Sequence, residues 1–325
     1  MASAKSGSSS KLWGSDNSLF DSRMSHFLEY LLFLSAGCIL RLLPYRAVQR
    51  IGAAAGEFVG MTLGYRRAVA MDNLRNAFPE RSEQELQNIA RGSFRSIGTA
   101  LFEVLYLPHL SADCLNSVCH VVNPEFIKEA CGRGQGALML TAHFGNWELL
   151  AQAFHTSTGI PLYIIVKPQT NKFVDRTINA WRTRFGNYVV SMDSIREMIR
   201  LLREKNAVGI VADQTAAKES IAVSFFGREV PTYEGPAMFS LKTRAPLIAG
   251  FAIRGDDGLY QARFFEVPSS DLTEYSRENV IELTKRHVAI TESVIREHPE
   301  QWMWMHKRWK HVSSRPGSYS IADQS

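Results

Sequence analysis

The chain has 325 residues, of which 45% are hydrophobic, and this is enough apolar content for one large packed domain or two ordinary ones. Lys and Arg outnumber Asp and Glu by 37 to 32, so the formal net charge of +5 favours an anionic partner. The four cysteines form no C-x-x-C pair and have no His at zinc-finger spacing, so neither a metal site nor a disulfide framework is indicated. A reducing environment fits this pattern best.

The first 25 residues contain nine serines and few apolar groups. Such a segment buries too little surface to offset the entropy lost on ordering, so we predict a flexible tail there. The following run, "FLEYLLFLSAGCILRLL", is strongly apolar and is interrupted only by Glu29 and Arg41. Its uncharged middle, residues 30–40, spans only about 16 Å as a helix, against roughly 30 Å for the core of a bilayer. We predict that residues 26–64 form membrane-associated helices.

Three interpretations of the apolar run remain open. It can be a signal peptide, because basic residues precede it, although the usual Leu three places before Cys38 is Ser35 and Glu29 intrudes. It can be a single span whose end charges, Glu29 and Arg41, reach outward to the interface. It can also be a helix that lies in the membrane interface. Membrane contact of some kind is the prediction that these interpretations share.

Glycines recur at positions 52, 56, 60 and 64 in "IGAAAGEFVGMTLG", nearly on one face of a helix. Glycine at this spacing permits two helices to approach closely. We therefore predict a hairpin of two helices joined at Pro44. A glycine-rich helix of a soluble core explains the same spacing.

Residues 65–325 are predicted to form the folded body of the protein. Ser82 with Glu85 three residues later makes a capping box at the start of a long helix. After Cys119, short apolar runs alternate with helical periods, which is typical of an α/β layer with a mainly parallel sheet. The predicted strands are "CHVV", "ALMLTA", "LYIIV", "YVV", "AVGIVA", "PLIAGFAI" and "YQARFFEV".

A histidine follows the strand "ALMLTA" in the segment "LMLTAHFGNWELL". Gly145 permits a sharp turn, and Asn146 is suited to cap a helix that begins at Trp147. Across such a turn His143 and Glu148 can meet, and Glu148 can hold one ring nitrogen while the other accepts a proton. With no Ser or Cys nucleophile beside it, this dyad suits deprotonation of a substrate hydroxyl. From the spacing alone, a buried structural histidine is the better explanation.

Two further segments contain polar or aromatic residues of the types that occur in binding sites. Asp213 and Gln214 end the apolar run "AVGIVA" at the same predicted sheet edge as the histidine, and polar side chains at the end of a buried strand favour a site. Near the C-terminus, Trp302, Trp304 and Trp309 alternate with basic residues. Nucleic-acid binding has little support there, because no recognised module accompanies the pattern. Trp anchoring at a lipid interface and packing of the tryptophans in the core both remain open.

The block "HFGNWE" resembles the catalytic block of the late acyltransferases of lipid A biosynthesis, which belong to the wider lysophospholipid-acyltransferase-like group. The similarity extends from Phe27 to the end of the chain. Further blocks match in the expected order, namely "NLRNAFPE", "RTRFG", "VADQ", "FFG" and "PEQWMWMHKRWK". The resemblance implies a glycerolipid-acyltransferase-type α/β fold, with residues 65–325 as the acyltransferase domain.

The implied reaction is transfer of a fatty acyl chain from an acyl thioester to a hydroxyl of a lipid A precursor. The donor is carried by acyl carrier protein or coenzyme A, no separate cofactor is expected, and the place is the cytoplasmic face of a bacterial inner membrane. By the same resemblance, His143 is the general base and Glu148 its orienting partner. The backbone at Gly145 and Asn146 is our candidate for binding the oxyanion of the tetrahedral intermediate.

The resemblance also implies substrate contacts for Lys167, Asn171 and Arg182, besides Asp213 and Gln214. Arg182 and Arg184 do not share a helix face, so we expect only Arg182 to reach the site and to bind a phosphate. Turn chemistry explains Asn171 as well as head-group binding does. Three other functions remain open: acylation of another glycolipid or lysophospholipid, such as a mannosylated inositol lipid, hydrolysis of a lipid or thioester, and membrane binding without catalysis.

Overall fold

The structure is a computed structural model that describes the backbone of residues 14–312 and the side chains of residues 23–312. Its helices are α1 (Gly14–Leu40), α2 (Tyr45–Glu57), α3 (Arg67–Ala77), α4 (Glu83–Tyr106), α5 (Ala112–Val118), α6 (Pro124–Gly132), α7 (Trp147–Thr158), α8 (Lys172–Arg182), α9 (Ile195–Arg203), α10 (Gly235–Thr243) and α11 (Arg277–Glu297). Its strands are β1 (Cys119–Val121), β2 (Ala137–Thr141), β3 (Leu162–Val166), β4 (Tyr188–Ser191), β5 (Ala207–Val211), β6 (Ala222–Phe225), β7 (Arg228–Pro231), β8 (Leu247–Arg254) and β9 (Tyr260–Glu266).

Seven strands form one sheet in the order β1-β9-β8-β2-β5-β3-β4. Neighbours pair in parallel except β8 and β9, which are antiparallel. These seven are the apolar runs that the sequence predicts as strands, so the prediction of an α/β fold with a mainly parallel sheet flanked by helices is confirmed. The other two strands, β6 and β7, form a hairpin whose turn contains Phe226 and Gly227, both with positive φ.

The sheet carries a hydrophobic core on each face. Because side chains alternate along a strand, Met139 belongs to one core, and Leu138 and Leu140 belong to the other. Helices α5, α6 and α7 supply the first core, while α3, α4, α9, α10 and α11 supply the second. The capping box predicted at the start of α4 is present, with Ser82 and Glu85 bonding each other's backbone amides.

Strands β2, β3 and β5 are parallel and end at the same edge of the sheet. His143 lies two residues beyond the end of β2, Lys167 directly follows β3, and Asp213 lies two residues beyond β5. Binding sites of open α/β sheets collect outside the carboxyl ends of the strands. The topology therefore brings three segments of distant sequence to the edge that the sequence predicts for the site.

The three C-terminal tryptophans lie in the core. Trp302, Trp304 and Trp309 are 1%, 0% and 5% exposed, and their rings contact one another and those of Phe225 and Phe226. Of the two interpretations that the sequence leaves open, core packing is therefore correct and anchoring at a lipid interface is wrong. Alternation of aromatic and basic residues fits both lipid anchoring and core packing. The local pattern does not distinguish them, because the β6–β7 hairpin that covers these rings is distant in sequence.

Helix α1 begins earlier than its apolar run. It includes residues 14–25, which the sequence assigns to a flexible tail, whereas residues 1–13 lie outside the described part of the chain. Once a helix is nucleated, each added residue gains a backbone hydrogen bond, so a polar extension can follow an apolar segment. Between residues 14 and 312, no helix combines the length and apolar character needed to cross a membrane.

The glycine face of α2 packs against α4. A Cβ atom on Gly52 would lie 2.7 Å from the carbonyl oxygen of Gly98, and one on Gly98 would lie 2.2 Å from that of Gly52. A Cβ on Gly56 would clash with the carbonyl of Phe94 in the same way. The predicted close approach of two helices is thus present, but the partner of α2 is α4, which the hairpin prediction did not include.

We expect Gly98→Ala to lower the free energy of unfolding by about 1–3 kcal/mol, the usual range for inserting atoms into a packed interface. Gly132→Ala is the matched control, because a Cβ at Gly132 has no neighbour within 4 Å. It should leave the stability unchanged or raise it by up to about 1 kcal/mol. Thermal and denaturant unfolding measure both variants, and equal stabilities would contradict the tight α2–α4 contact.

Candidate active site

The turn after β2 is held by the C-terminal segment. Met303 donates its backbone N–H to the carbonyl of His143 at 3.1 Å, and Gly145 donates to the carbonyl of Gln301 at 2.9 Å. Gly145 has a φ of +52°, and a Cβ there would lie 1.9 Å from the carbonyl oxygen of Ala252, so this position requires glycine. The Gly145 amide, which the sequence suggests as an oxyanion donor, is already bonded within the protein.

Asp213 is the partner of the His143 imidazole. Its Oδ1 lies 2.7 Å from Nδ1 of His143, and its Oδ2 accepts from the backbone N–H of His143 at 2.9 Å. Trp302 donates its indole N–H to the same Oδ2 at 2.8 Å. The Asp213 side chain is only 5% exposed. Its carboxylate therefore fixes both the ring and the backbone of the histidine and leaves Nε2 as the nitrogen not used by Asp213.

The pKa values of the pair shift in opposite directions. Burial lowers the pKa of His143, but the negative charge and the hydrogen bond of Asp213 more than offset this, so the net shift is upward from 6.5. Burial raises the pKa of Asp213, but attraction to His143 and the hydrogen bonds that it accepts lower the value overall. Asp213 is therefore ionised at neutral pH, and its charge makes the imidazole a stronger base.

Glu148 bonds to Arg182 instead of His143. Its two carboxylate oxygens accept from Nε and Nη2 of Arg182 at 2.9 and 2.5 Å, in the bidentate geometry that suits a guanidinium. The prediction that Glu148 accepts a hydrogen bond from the imidazole is therefore wrong. The charge of Glu148 still contributes to raising the pKa of His143. Arg184 points elsewhere and donates to the carbonyls of Leu107 and Pro108, as expected from its different helix face.

The sequence could not assign the partner of His143, since two carboxylates at the same edge were available. Glu148 is near the histidine in sequence, whereas Asp213 is 70 residues away and meets it through the pairing of β2 with β5. Asp213 was predicted as a substrate contact, and Trp302 as a membrane anchor or core residue. The signal that the sequence offers is that Asp213 and His143 each follow the end of a buried strand.

Two predicted substrate-binding residues have structural roles instead. The Asn146 side chain is fully buried, and its Oδ1 accepts from the backbone amides of Glu148 and Leu149, so it caps α7. Asn171 caps α8 in the same way and donates to Glu29 and to the carbonyl of His26 in α1. These contacts contradict direct substrate binding by either side chain, because the amide groups are used inside the protein.

The remaining predicted contacts lie at the opening of a cavity of about 570 Å³ beside His143. Lys167 and Gln214 are exposed there, and the amide nitrogen of Gln214 lies 3.5 Å from both ring nitrogens of His143. Arg182 also lines the cavity, but its guanidinium is bonded to Glu148 and Asn179. Cationic and amide groups at this opening are suited to an anionic head group.

The deeper part of the cavity is apolar. Leu150, Ala151 and Phe154 of α7 line it, together with strand residues such as Leu162 and Ile164. Phe225 and Trp302 do not contribute to this wall, because both are buried in the aromatic core. No serine or cysteine is among the described residues that line the cavity. The described residues also contain no group of His, Cys, Asp or Glu side chains able to hold a metal ion.

A basic imidazole at the mouth of an apolar cavity, without a serine or cysteine nucleophile, is the arrangement of an enzyme that activates a hydroxyl of its substrate. Comparison with known proteins identifies the class of enzyme. The family model of the bacterial lipid A biosynthesis acyltransferases matches residues 18–311. The chain belongs to this family, and it is an O-acyltransferase.

Several known proteins are similar to this chain over most of their length. The lipid A biosynthesis lauroyltransferase of Escherichia coli K12 is 26% identical over 297 residues, which is 90% of this chain and 95% of that protein. The lipid A biosynthesis palmitoleoyltransferase of the same organism is 24% identical, over 82% of this chain and 86% of that protein. The phosphatidylinositol mannoside acyltransferase of Mycolicibacterium smegmatis is 22% identical, over 82% and 90%.

The pair of His143 and Asp213 makes a prediction for the dependence of acyl transfer on pH. A general base must be neutral to accept a proton, so activity should rise with pH through a pKa above 6.5. Asp213→Asn removes the charge that raises this pKa, so kcat should fall about tenfold or more and the acid limb should move to lower pH.

Glu148→Gln is the matched control for this experiment. It removes a carboxylate near the imidazole but leaves the bond between Asp213 and Nδ1 in place. Its acid limb should therefore move less than that of Asp213→Asn. A larger movement in Glu148→Gln, measured on folded protein, would return Glu148 to the role of partner that the sequence suggested.

Proposed function

We propose that this protein transfers a fatty acyl chain from an acyl thioester to a hydroxyl of a lipid A precursor, at the cytoplasmic face of a bacterial inner membrane. The observation that carries the proposal is the position of His143, bonded to Asp213 through Nδ1 and lying at the mouth of the apolar cavity. The names of the relatives in lipid A biosynthesis support the choice of acceptor.

The proposed reaction needs only groups that this chain and its substrates supply. Nε2 of His143 accepts the proton of the acceptor hydroxyl, and the oxygen attacks the thioester carbonyl carbon. The tetrahedral intermediate collapses, the carbon–sulfur bond breaks, and the imidazolium returns its proton to the departing thiolate. Asp213 stabilises the imidazolium that forms between these steps. The products are the ester and the free thiol of the carrier.

The cavity has space for the donor chain, and its opening suits the polar parts of both substrates. The thioester carbonyl lies beside His143 when the chain extends along α7 past Leu150 and Phe154. Lys167 brings positive charge to the opening, where a phosphate of the acceptor or of the carrier arm binds, whereas the charge of Arg182 is paired with Glu148. Acyl carrier protein and coenzyme A are both anionic, and the net charge of +5 attracts either one.

Helix α1 supports the membrane part of the proposal. Its exposed apolar side chains recur at helical spacing and fall within an arc of roughly 140°, at 3.6 residues per turn. They are Met24, Phe27, Leu28, Leu31, Leu32 and Ile39, and Leu42 follows on the same side, at 42% to 84% exposure. The exposed residues Arg41, Arg46 and Arg50 lie at the end of α1 and in α2. An apolar stripe beside cations suits a surface of anionic lipid.

A second acceptor has specific support from the comparisons. The relative from Mycolicibacterium smegmatis is named a phosphatidylinositol mannoside acyltransferase, so one similar protein has a different glycolipid in its name. The same base and the same apolar cavity serve either acceptor. The test of the function must therefore identify the acylated lipid and not only the loss of the thioester.

Mass spectrometry of total lipids from cells with and without the gene tests the proposed acceptor. We expect a lipid A precursor to gain one acyl chain when the wild-type gene is present. His143→Ala should lower transfer by about 10²–10⁴-fold, the usual contribution of a general base. His120→Ala, a change at an exposed histidine of β1, is the control and should leave transfer unchanged.

Three other results would each redirect the proposal. Acylation of a mannosylated inositol lipid or a lysophospholipid would replace the acceptor. Accumulation of free fatty acid without an acylated lipid would indicate hydrolysis. Lipids that are identical in cells with the wild-type gene, with the His143→Ala gene and without the gene would indicate membrane binding without catalysis.

Binding to vesicles of anionic phospholipid tests the membrane surface. Leu32→Glu should weaken co-sedimentation, because it places a charge within the apolar stripe, whereas Tyr275→Glu alters an exposed aromatic residue outside it and should not. Raised salt should weaken binding further, since charges are screened over about 10 Å at 0.1 M. Equal binding by wild type and Leu32→Glu would contradict insertion of α1.

A further inference from the structure

Glu103 of α4 is a fully buried carboxylate outside the catalytic pair. Its Oε1 accepts from the Tyr45 hydroxyl at 2.5 Å and from the Gln49 amide at 2.7 Å. Its Oε2 accepts from the Asn146 amide and from the Tyr260 hydroxyl, each at 2.7 Å. The four donors come from α2, the turn before α7 and β9, so one carboxylate joins α4 to three other segments of the chain.

The four hydrogen bonds explain how the carboxylate is tolerated in the core. A buried charge is costly unless it is paired or fully hydrogen-bonded, and a carboxylate can accept about four hydrogen bonds. Among the described residues, no Lys or Arg forms an ion pair with Glu103. Burial is the larger cause and the charge of Glu103 the next largest cause that raises the pKa of Tyr45 and of Tyr260. Both hydroxyls therefore stay protonated and donate.

Asn146 connects this carboxylate to the catalytic turn. Glu103 is acceptor-only, so it directs the amide nitrogen of Asn146 toward itself and the amide oxygen toward α7. That oxygen caps the backbone amides of Glu148 and Leu149. Asn146 directly follows Gly145, and the tight turn at Gly145 carries His143. A rotated Asn146 amide would present N–H groups to the helix amides and would release both the cap and the turn.

We propose that Glu103 is a positioning residue for acyl transfer, which holds Asn146 and through it the turn of His143 and the first turn of α7. Glu103 contacts neither the cavity nor the catalytic pair, and it acts by fixing their backbone. The inference rests on the proposed function, because the rate that it affects is that of the reaction at His143. It also connects the site to α2, since Tyr45 and Gln49 bond the other oxygen of the same carboxylate.

Exchanging the carboxylate of Glu103 and the amide of Asn146 tests this positioning role directly. Asn146→Asp keeps a good helix cap but places two carboxylates against each other, at the position of a 2.7 Å hydrogen bond. We expect its kcat to fall about 10²-fold with little change in KM, since small misplacements of reacting groups cost about that much. Glu103→Gln should also lower kcat. The double variant Glu103→Gln with Asn146→Asp restores an amide–carboxylate bond in reverse and should recover kcat to within about tenfold of wild type.

Tyr45→Phe is the matched control. It removes one donor to Glu103 but leaves the bond to Asn146 in place, so it should lower the unfolding temperature while kcat stays within about twofold of wild type. A folded Glu103→Gln with wild-type kcat would overturn the proposal. So would a double variant no more active than Asn146→Asp alone when both are folded. If Glu103→Gln alone fails to fold, the kcat of Asn146→Asp compared with that of the double variant decides whether Glu103 positions the turn.

A readout without a substrate separates this inference from the proposed function. The NMR signals of the His143 imidazole report its contact with Asp213 whatever the acceptor lipid is. Glu103→Gln and Asn146→Asp should shift these signals and the titration midpoint of the ring, and the double variant should return them toward wild type. Unchanged signals in both single variants would overturn the positioning role. Absence of transfer to a lipid A precursor by the wild-type enzyme, with the signals responding as described, would overturn the proposed acceptor and leave this inference intact.

Discussion

The chemistry of the site depends on one buried carboxylate. Asp213 accepts from the imidazole, the backbone amide of His143 and the indole of Trp302, so its orientation leaves little freedom to the base. Its charge raises the pKa of the imidazole against the opposing effect of burial. The same burial that makes the carboxylate costly makes its interaction with the ring strong, because few waters compete for it. The remaining parts of the site serve to keep this pair beside the cavity.

Support for the pair comes from segments that contribute no reacting group. The segment after α11 bonds the backbone on both sides of Phe144 and supplies the Trp302 indole. On the other side, Asn146 caps α7 and is itself held by Glu103. The functional turn is thus fixed from the C-terminal segment and from α4, and the ring of His143 lies between. This arrangement explains why aromatic and amide residues with no access to substrate occur in the motifs that resemble the family pattern.

Residues with similar sequence signals turned out to have different uses. Lys167 and Asn171 both follow β3, but Lys167 is exposed at the cavity while Asn171 caps α8 and contacts α1. The three C-terminal tryptophans, which carry the mixed aromatic and basic pattern of a lipid anchor, fill the core instead. The apolar stripe on α1 is the surface that suits lipid. Local pattern identifies which residues are unusual, and packing decides what each one contacts.

The sequence by itself determined the seven strands, the helices between them, and the sheet edge at which His143 and Asp213 follow their strands. These features depend on hydrophobic periodicity and turn residues, which act over a few neighbouring positions. The partner of the histidine, the partner of the glycine face of α2 and the role of Glu103 were decided only by the tertiary structure. Each is a contact between residues 40 to more than 150 positions apart, as in the bonds of Glu103 to Asn146 and Tyr260. Local periodicity specifies which face of an element is buried, whereas only the packed chain specifies which distant group fills the space beside it.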